Sequence, residues 1–171
     1  MTAAHFAAAL AIKSRVPDAP TGALIAGAFV PDFVWIALAT AGIEPTKRSV
    51  FFDEWSHSLL SVLIFATLYA LAFRGRGRSV AAAMWVAVCS HFVLDLPIHP
   101  KNLAVYPHSA THVGLGLSSV APMTYWFVQL AVVLLLLGVY IYGTRRLGIA
   151  SRWITATPPL EGYAVRHPPG L

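Results

Sequence analysis

The sequence predicts an all-α membrane protein: four transmembrane helices preceded by a short N-terminal helix. Three observations carry that expectation. The 171 residues are 57% hydrophobic and only 11% charged, with a mean hydropathy of +0.68, whereas soluble domains run about 25% charged. The apolar residues gather in four segments close to the ~20 residues that cross a hydrocarbon core of ~30 Å. The basic residues behind the net charge of +5 stand in short clusters between those segments. That pattern orients membrane helices and argues against nucleic-acid binding. A single cysteine, Cys89, excludes an intramolecular disulfide and a Cys-rich zinc site.

The N-terminal stretch Met1 to Ile12 has no basic residue ahead of its apolar run; Lys13 and Arg15 follow it. It reads as a retained short helix, re-entrant or interfacial, and not as a signal peptide. The first span is expected from about Thr21 to Ala41, the second from His57 to Phe73, the third from Ser79 to Leu96. The fourth runs from Thr124 to Tyr142 and is the most lipid-like, with Val132 to Leu137 wholly aliphatic. The second and third lie near the short limit. Lys13 and Arg15, then Arg74, Arg76 and Arg78, then Arg145, Arg146 and Arg152 all fall on one side of a four-span bundle. That side is cytoplasmic by the positive-inside rule, with both termini inside the bacterial inner membrane. Lys47, Arg48 and Lys101 fall opposite. Trp55, Tyr106, Tyr125 and Trp126 mark the outer interface and Trp153 the inner one. The segment from Ile98 to Met123, rich in Pro, Gly, Ser and His, is long enough to form a lid. Residues 1–150 make one integral-membrane domain, and residues 151–171 a Pro-rich, disordered tail.

Inside these apolar segments a few ionisable residues need a reason, because a charge at bilayer depth is costly and marks function by default. His91 and Asp95 lie four residues apart, so they share one helical face and can grip one ion. A helix-tying hydrogen-bonded pair is the alternative. Asp32 follows Pro31 in the first span; Pro31 breaks the backbone ladder, freeing carbonyls beside a carboxylate, and Asp32 either binds an ion or caps the second half of the helix. His57 opens the second span, where a terminal His can also face water. His5 lies on the N-terminal helix about 12 Å above Lys13, close to the depth of Asp32 and His91. His99 either curls back to this level or faces solvent. His108 and His112 repeat the four-residue spacing on a solvated loop. Mixed imidazole and carboxylate ligands suit zinc, with manganese or iron next, better than calcium or magnesium. Two or more His with one or two Asp and an open position are the pattern of a catalytic zinc site.

His5, Pro31-Asp32, Ser56-His57-Ser58 and His91-Phe92-Val93-Leu94-Asp95, in this order over residues 1–100, resemble a family of membrane-bound metal-dependent hydrolases. These are inner-membrane-associated proteins also labelled LexA-binding, distantly similar to zinc-dependent phospholipases C and single-strand-specific zinc nucleases. Phe33 and Val34 stand where that family often has a second acid, and Glu54-Trp55-Ser56 replaces its usual approach to the His-Ser step. The resemblance implies a metal held by His5, Asp32, His57, His91 and Asp95. It also implies hydrolysis of a phosphoester or related ester, with a lipid as one substrate class. Asp95 or Asp32 is the group that orients the attacking water. Membrane lipids are the expected partners and nucleic acid is not. The competing reading is a transporter or permease component that uses the same cluster for protons or ions; a continuous polar path across the bundle is what it requires.

Overall fold

The computed structural model describes residues 2–44, 53–99, 102–146 and 148. In chain order these form α1 (Thr2–Lys13), α2 (Thr21–Ala28), α3 (Val30–Thr40), α4 (Glu54–His57), α5 (Leu59–Ala72), a 3-10 turn at Arg74–Arg76 and α6 (Arg78–Asp95). A two-residue hairpin follows, β1 (Leu103–Ala104) with β2 (His112–Val113), then α7 (Leu117–Val120) and α8 (Pro122–Arg146).

The helical class holds, but four membrane-spanning helices do not. Among the described residues α8 alone is long and apolar enough to cross a membrane by itself. The pair α2 and α3 meets the same measure only together, across a 53° bend. The segment predicted as the second span divides: His57 ends α4, and Ser58 takes extended backbone and caps α5, its Oγ accepting from the Ser61 N–H. What remains, α5, has 14 residues, about 21 Å. The predicted third span is α6, which carries Arg78, His91 and Asp95 and buries its inward face from Val80 to Asp95. The miscount therefore comes from where the helices break and what they carry: α5 is too short, and α6 holds Arg78, His91 and Asp95 within 18 residues.

The break in the first span also falls elsewhere than at Pro31. It lies at Phe29, whose backbone (φ −112°, ψ 6°) ends α2 and starts α3. Pro31 then occupies the first turn of α3, where its missing N–H has no intrahelical partner to lose. Asp32 sits in the same turn, where the helix dipole favours a carboxylate.

α1 is alanine-rich, a strong helix former. Its small side chains let it lie inside the bundle, with Ala4, Ala7, Ala8 and Ala11 buried alongside His5. It packs on α2, α6 and α8. One core cluster, with Leu24, Ala28, Ala83, Met84 and Ala87, joins α1, α2 and α6. A second, with Val62, Ala66, Val88, Phe92 and Leu103, joins α5, α6 and the hairpin. α8 approaches α1 closely where Gly143 meets Ser14; a Cβ at Gly143 would stand 2.5 Å from Ser14 Oγ.

Residues 102–121 are a fitted cap. Leu103 pairs with Val113 and Ala104 with His112. Backbone bonds run from Leu60 N–H to the Val105 carbonyl (3.0 Å), from Leu115 N–H to the Leu96 carbonyl (2.9 Å) and from Gly116 N–H to the His99 carbonyl (2.8 Å). These seat the cap on the ends of α5 and α6. At the opposite end of the bundle Arg15 lies by Ser79 in one groove and by Arg146 in another, so the basic ends of α1, α6 and α8 gather together. Lys47, Arg48, Lys101, Arg152, Trp153 and the tail predicted at residues 151–171 lie outside the described residues.

Candidate metal centre

His91 and Asp95 stand one turn apart on the buried face of α6. Ala28 is the last residue of α2, and the carbonyls of a helix's final turn lack partners within the helix. His91 Nδ1 lies 2.8 Å from that Ala28 oxygen. A carbonyl only accepts, so Nδ1 carries the hydrogen; in the neutral ring Nε2 then bears a lone pair. His91 Nε2 is buried without a hydrogen-bond partner, yet it faces Asp95 Oδ2 at 3.1 Å and Asp32 Oδ1 at 3.7 Å.

The remaining predicted residues close around these. The His5 ring stacks on that of His91, centroids 4.2 Å apart and 8° from parallel, and its Nε2 is 3.4 Å from Asp95 Oδ1. His57 Nε2 is 3.4 Å from Asp32 Oδ1. One ligand atom from each of His5, His91 and Asp95 lies within 4.8 Å of the others, and the same is true of Asp32, His57 and His91. Ligand atoms ~2.0–2.2 Å from a shared ion stand roughly 3.0–3.6 Å from one another. The five predicted residues therefore form two triads that share His91, drawn from α1, α3, α4 and α6. His5 is 2% exposed, which places its face of α1 inside the bundle. Asp32 is the open member of the set, its side chain 39% exposed.

A cavity of about 250 Å³ opens over the cluster, lined by Thr2, His5, Asp32, Trp35, Asp53, His57, Asp95 and His99. His99 thus curls back to the site, its Nε2 3.7 Å from Asp95 Oδ2. Its other nitrogen, Nδ1, lies 4.0 Å from Asp53 Oδ2, and both of these buried atoms lack a hydrogen-bond partner. Burial pushes the Asp53 carboxyl up to about 6, against the opposing pull of His57. Burial also holds His99 below the ordinary imidazole range, against the pull of Asp95.

Asp53 was not among the residues singled out from sequence. The signal was present: Asp53 and His57 repeat the four-residue spacing of His91 and Asp95. Glu44 was missed with no such signal. It is fully buried and accepts from the Trp55 and Ser56 N–H groups (2.7 and 3.0 Å) and from Ser56 Oγ (2.7 Å). His108 and His112 stay away from the cluster. His112 Nε2 lies 2.9 Å from Glu54 Oε1, and the His108 N–H donates to Glu54 Oε2, so Glu54 ties the hairpin to α4.

Comparison with family models, curated proteins and solved structures gave no match to this chain. The chemistry therefore rests on the donor set: three imidazoles and two carboxylates gathered beneath an accessible cavity.

Proposed function

We propose that this chain is a membrane-embedded metal-dependent hydrolase that cleaves a phosphoester or related ester, with a lipid headgroup as the fitting substrate. The observation that carries the reading is His91. Its Nδ1–H is held by Ala28, and its buried Nε2, with no hydrogen-bond partner, faces two carboxylates. A buried nitrogen facing two anions calls for a positive charge between them, a metal ion on the nitrogen or a proton on the ring, and the further imidazoles of His5 and His57 beside it favour the metal. His91, Asp95, Asp32 and His57 would hold that cation, with His5 as the fifth donor. The mixed nitrogen and oxygen set suits zinc, then manganese or iron. A divalent ion there supplies a water of pKa ~7 and therefore a hydroxide near neutrality. Asp32, the exposed carboxylate of the set, is placed to accept a hydrogen bond from that water and to orient it. His5, His91 and Asp95 are the buried donors of the set.

Two features favour a site over an ion path and a membrane setting over water. Below the cluster, toward the basic end, Ala28, Leu24, Ala87 and Met84 form an apolar core, which stands against a continuous polar path. Trp126, Phe127, Leu130, Leu134 and Leu135 are exposed along α8, as are Leu60, Ile64, Leu68 and Leu71 along α5; bare apolar faces of this extent need a covering. With the basic helix ends in the cytoplasm, the site lies toward the outer leaflet.

The test is metal analysis of the detergent-purified protein, together with release of phosphate or alcohol from a phospholipid and from a water-soluble phosphodiester. About one or two transition-metal ions per chain and turnover that disappears with chelator support the reading. Metal-free protein that stays inactive after loading with zinc, manganese or iron overturns it. Metal uptake into sealed vesicles without hydrolysis would assign the cluster to transport. Orientation is read in a Cys89→Ser background: an impermeant thiol reagent added outside should label Ser118→Cys and not Gly75→Cys.

A further inference from the structure

We propose that Glu44 is the positioning residue of the His57 ligand, acting through the Ser56 hydroxyl. This rests on the metal-site reading above and deepens it. A His binds a metal through one nitrogen only if the hydrogen sits on the other, and the partner of that other nitrogen decides the tautomer. For His91 the partner is a backbone carbonyl. For His57 the structure supplies a side-chain relay.

His57 Nδ1 lies 2.7 Å from Ser56 Oγ. A hydroxyl has one hydrogen, so Ser56 can donate to His57 or elsewhere, not both. It donates to Glu44 Oε2 at 2.7 Å; the alternative acceptor, the Asp53 carbonyl, is farther, at 3.1 Å. Glu44 Oε1 is committed at the same time to the N–H groups of Trp55 and Ser56. The carboxylate is therefore acceptor to three hydrogens and draws the hydroxyl hydrogen away from the ring. His57 must donate its Nδ1–H to Ser56 Oγ, and its Nε2 lone pair faces Asp32, 3.4 Å away. The order is carboxylate, hydroxyl, imidazole, metal position. Glu44 is 0% exposed, so water does not substitute for it.

Glu44→Gln separates this role from packing. The amide oxygen of the glutamine can keep the two backbone bonds while its NH₂ replaces the acceptor at Oε2 with a donor. Ser56 then receives a hydrogen from Gln and turns its own toward His57 Nδ1, which moves the ring hydrogen to Nε2 and blocks ligation. The bundle keeps its shape.

The experiment is ¹⁵N NMR of the histidine rings in detergent at alkaline pH, without metal, paired with zinc titration of the same samples. Wild type should show His57 as the Nδ1–H form, and Glu44→Gln as the Nε2–H form. Zinc affinity should fall about 10–100-fold in Glu44→Gln and in Ser56→Ala, the range for removing an outer hydrogen bond to a metal-bound His. Ser56→Thr, which restores a hydroxyl, should return both tautomer and affinity toward wild type. A Glu44→Gln protein that keeps the Nδ1–H form overturns the relay, as does one with wild-type zinc affinity. If wild type takes up neither zinc, manganese nor iron, the hydrolase reading falls, while the tautomer measurement still decides the relay.

Discussion

The first half of α6 buries Val80, Ala83, Met84 and Ala87 against α1 and α2, and all four are apolar. The second half buries His91 and Asp95, and there an imidazole nitrogen has no hydrogen-bond partner. One continuous helix thus holds two regions under opposite demands. In the first, every buried group gains by leaving water, at roughly 25 cal/mol per Å² of apolar area. In the second, each unmatched polar atom costs about 1–3 kcal/mol. The polar half is held in place by the apolar one: α1 and α2 carry His5 and the Ala28 carbonyl to the site because their alanine-rich faces pack closely around Met84 and Ala87. The comparison teaches that metal binding and bundle stability should respond to different residues of the same helix.

The sharpest way to break that comparison is at the polar end. Asp95→Asn and His91→Ala should each drop the metal content from about one ion per chain to none, measured by elemental analysis, while the protein still folds and inserts. Full metal retention in both would remove the distinction between the halves.

At the apolar end the effect should reverse. Met84→Ala leaves a cavity in a fully buried site and should destabilise the fold by about 2–5 kcal/mol. The metal bound per folded chain should not change. Equilibrium denaturation beside metal analysis of the same sample checks both halves of the claim.

Removing the metal should couple the two regions. Chelation should lower the melting temperature of wild type by the free energy of ion binding, roughly 3–4 kcal/mol if the ion is present at 100 to 1,000 times its Kd. It should leave Asp95→Asn unmoved. A shift of the same size in both proteins would place the ion elsewhere.

Smaller effects sharpen the boundaries. Gly143→Ala forces a Cβ to within 2.5 Å of Ser14 Oγ and should cost about 1–3 kcal/mol by pushing α8 off α1, with metal affinity retained. His112→Ala removes a partly exposed pair with Glu54 and should cost under about 1 kcal/mol. A loss of metal on either change would extend the site well beyond the residues that surround the cavity.

The ends of α6 were close to legible in the sequence, and so were the His and Asp residues worth asking about, because their cues are local. A His and an Asp four apart meet on any helix, and a carboxylate next to Pro31 in an apolar run stands out wherever the chain goes. What the sequence by itself determined was therefore the helical class and the residue types able to bind an ion. The number of helices long enough to span a membrane was decided by where the folded chain breaks, at Phe29 and at Ser58. The position of the first break was decided by tertiary structure, since Phe29, with no special backbone preference, turns the chain just after Ala28 meets His91 of α6. Asp53 and Glu44 were legible only after folding. Their chemistry is ordinary at the surface, and only burial beside His57 and Ser56 turns one into an unmatched carboxylate and the other into an acceptor that fixes a ring hydrogen. A local pattern can name groups that share a helical face; it cannot name groups brought together by the closing of a bundle.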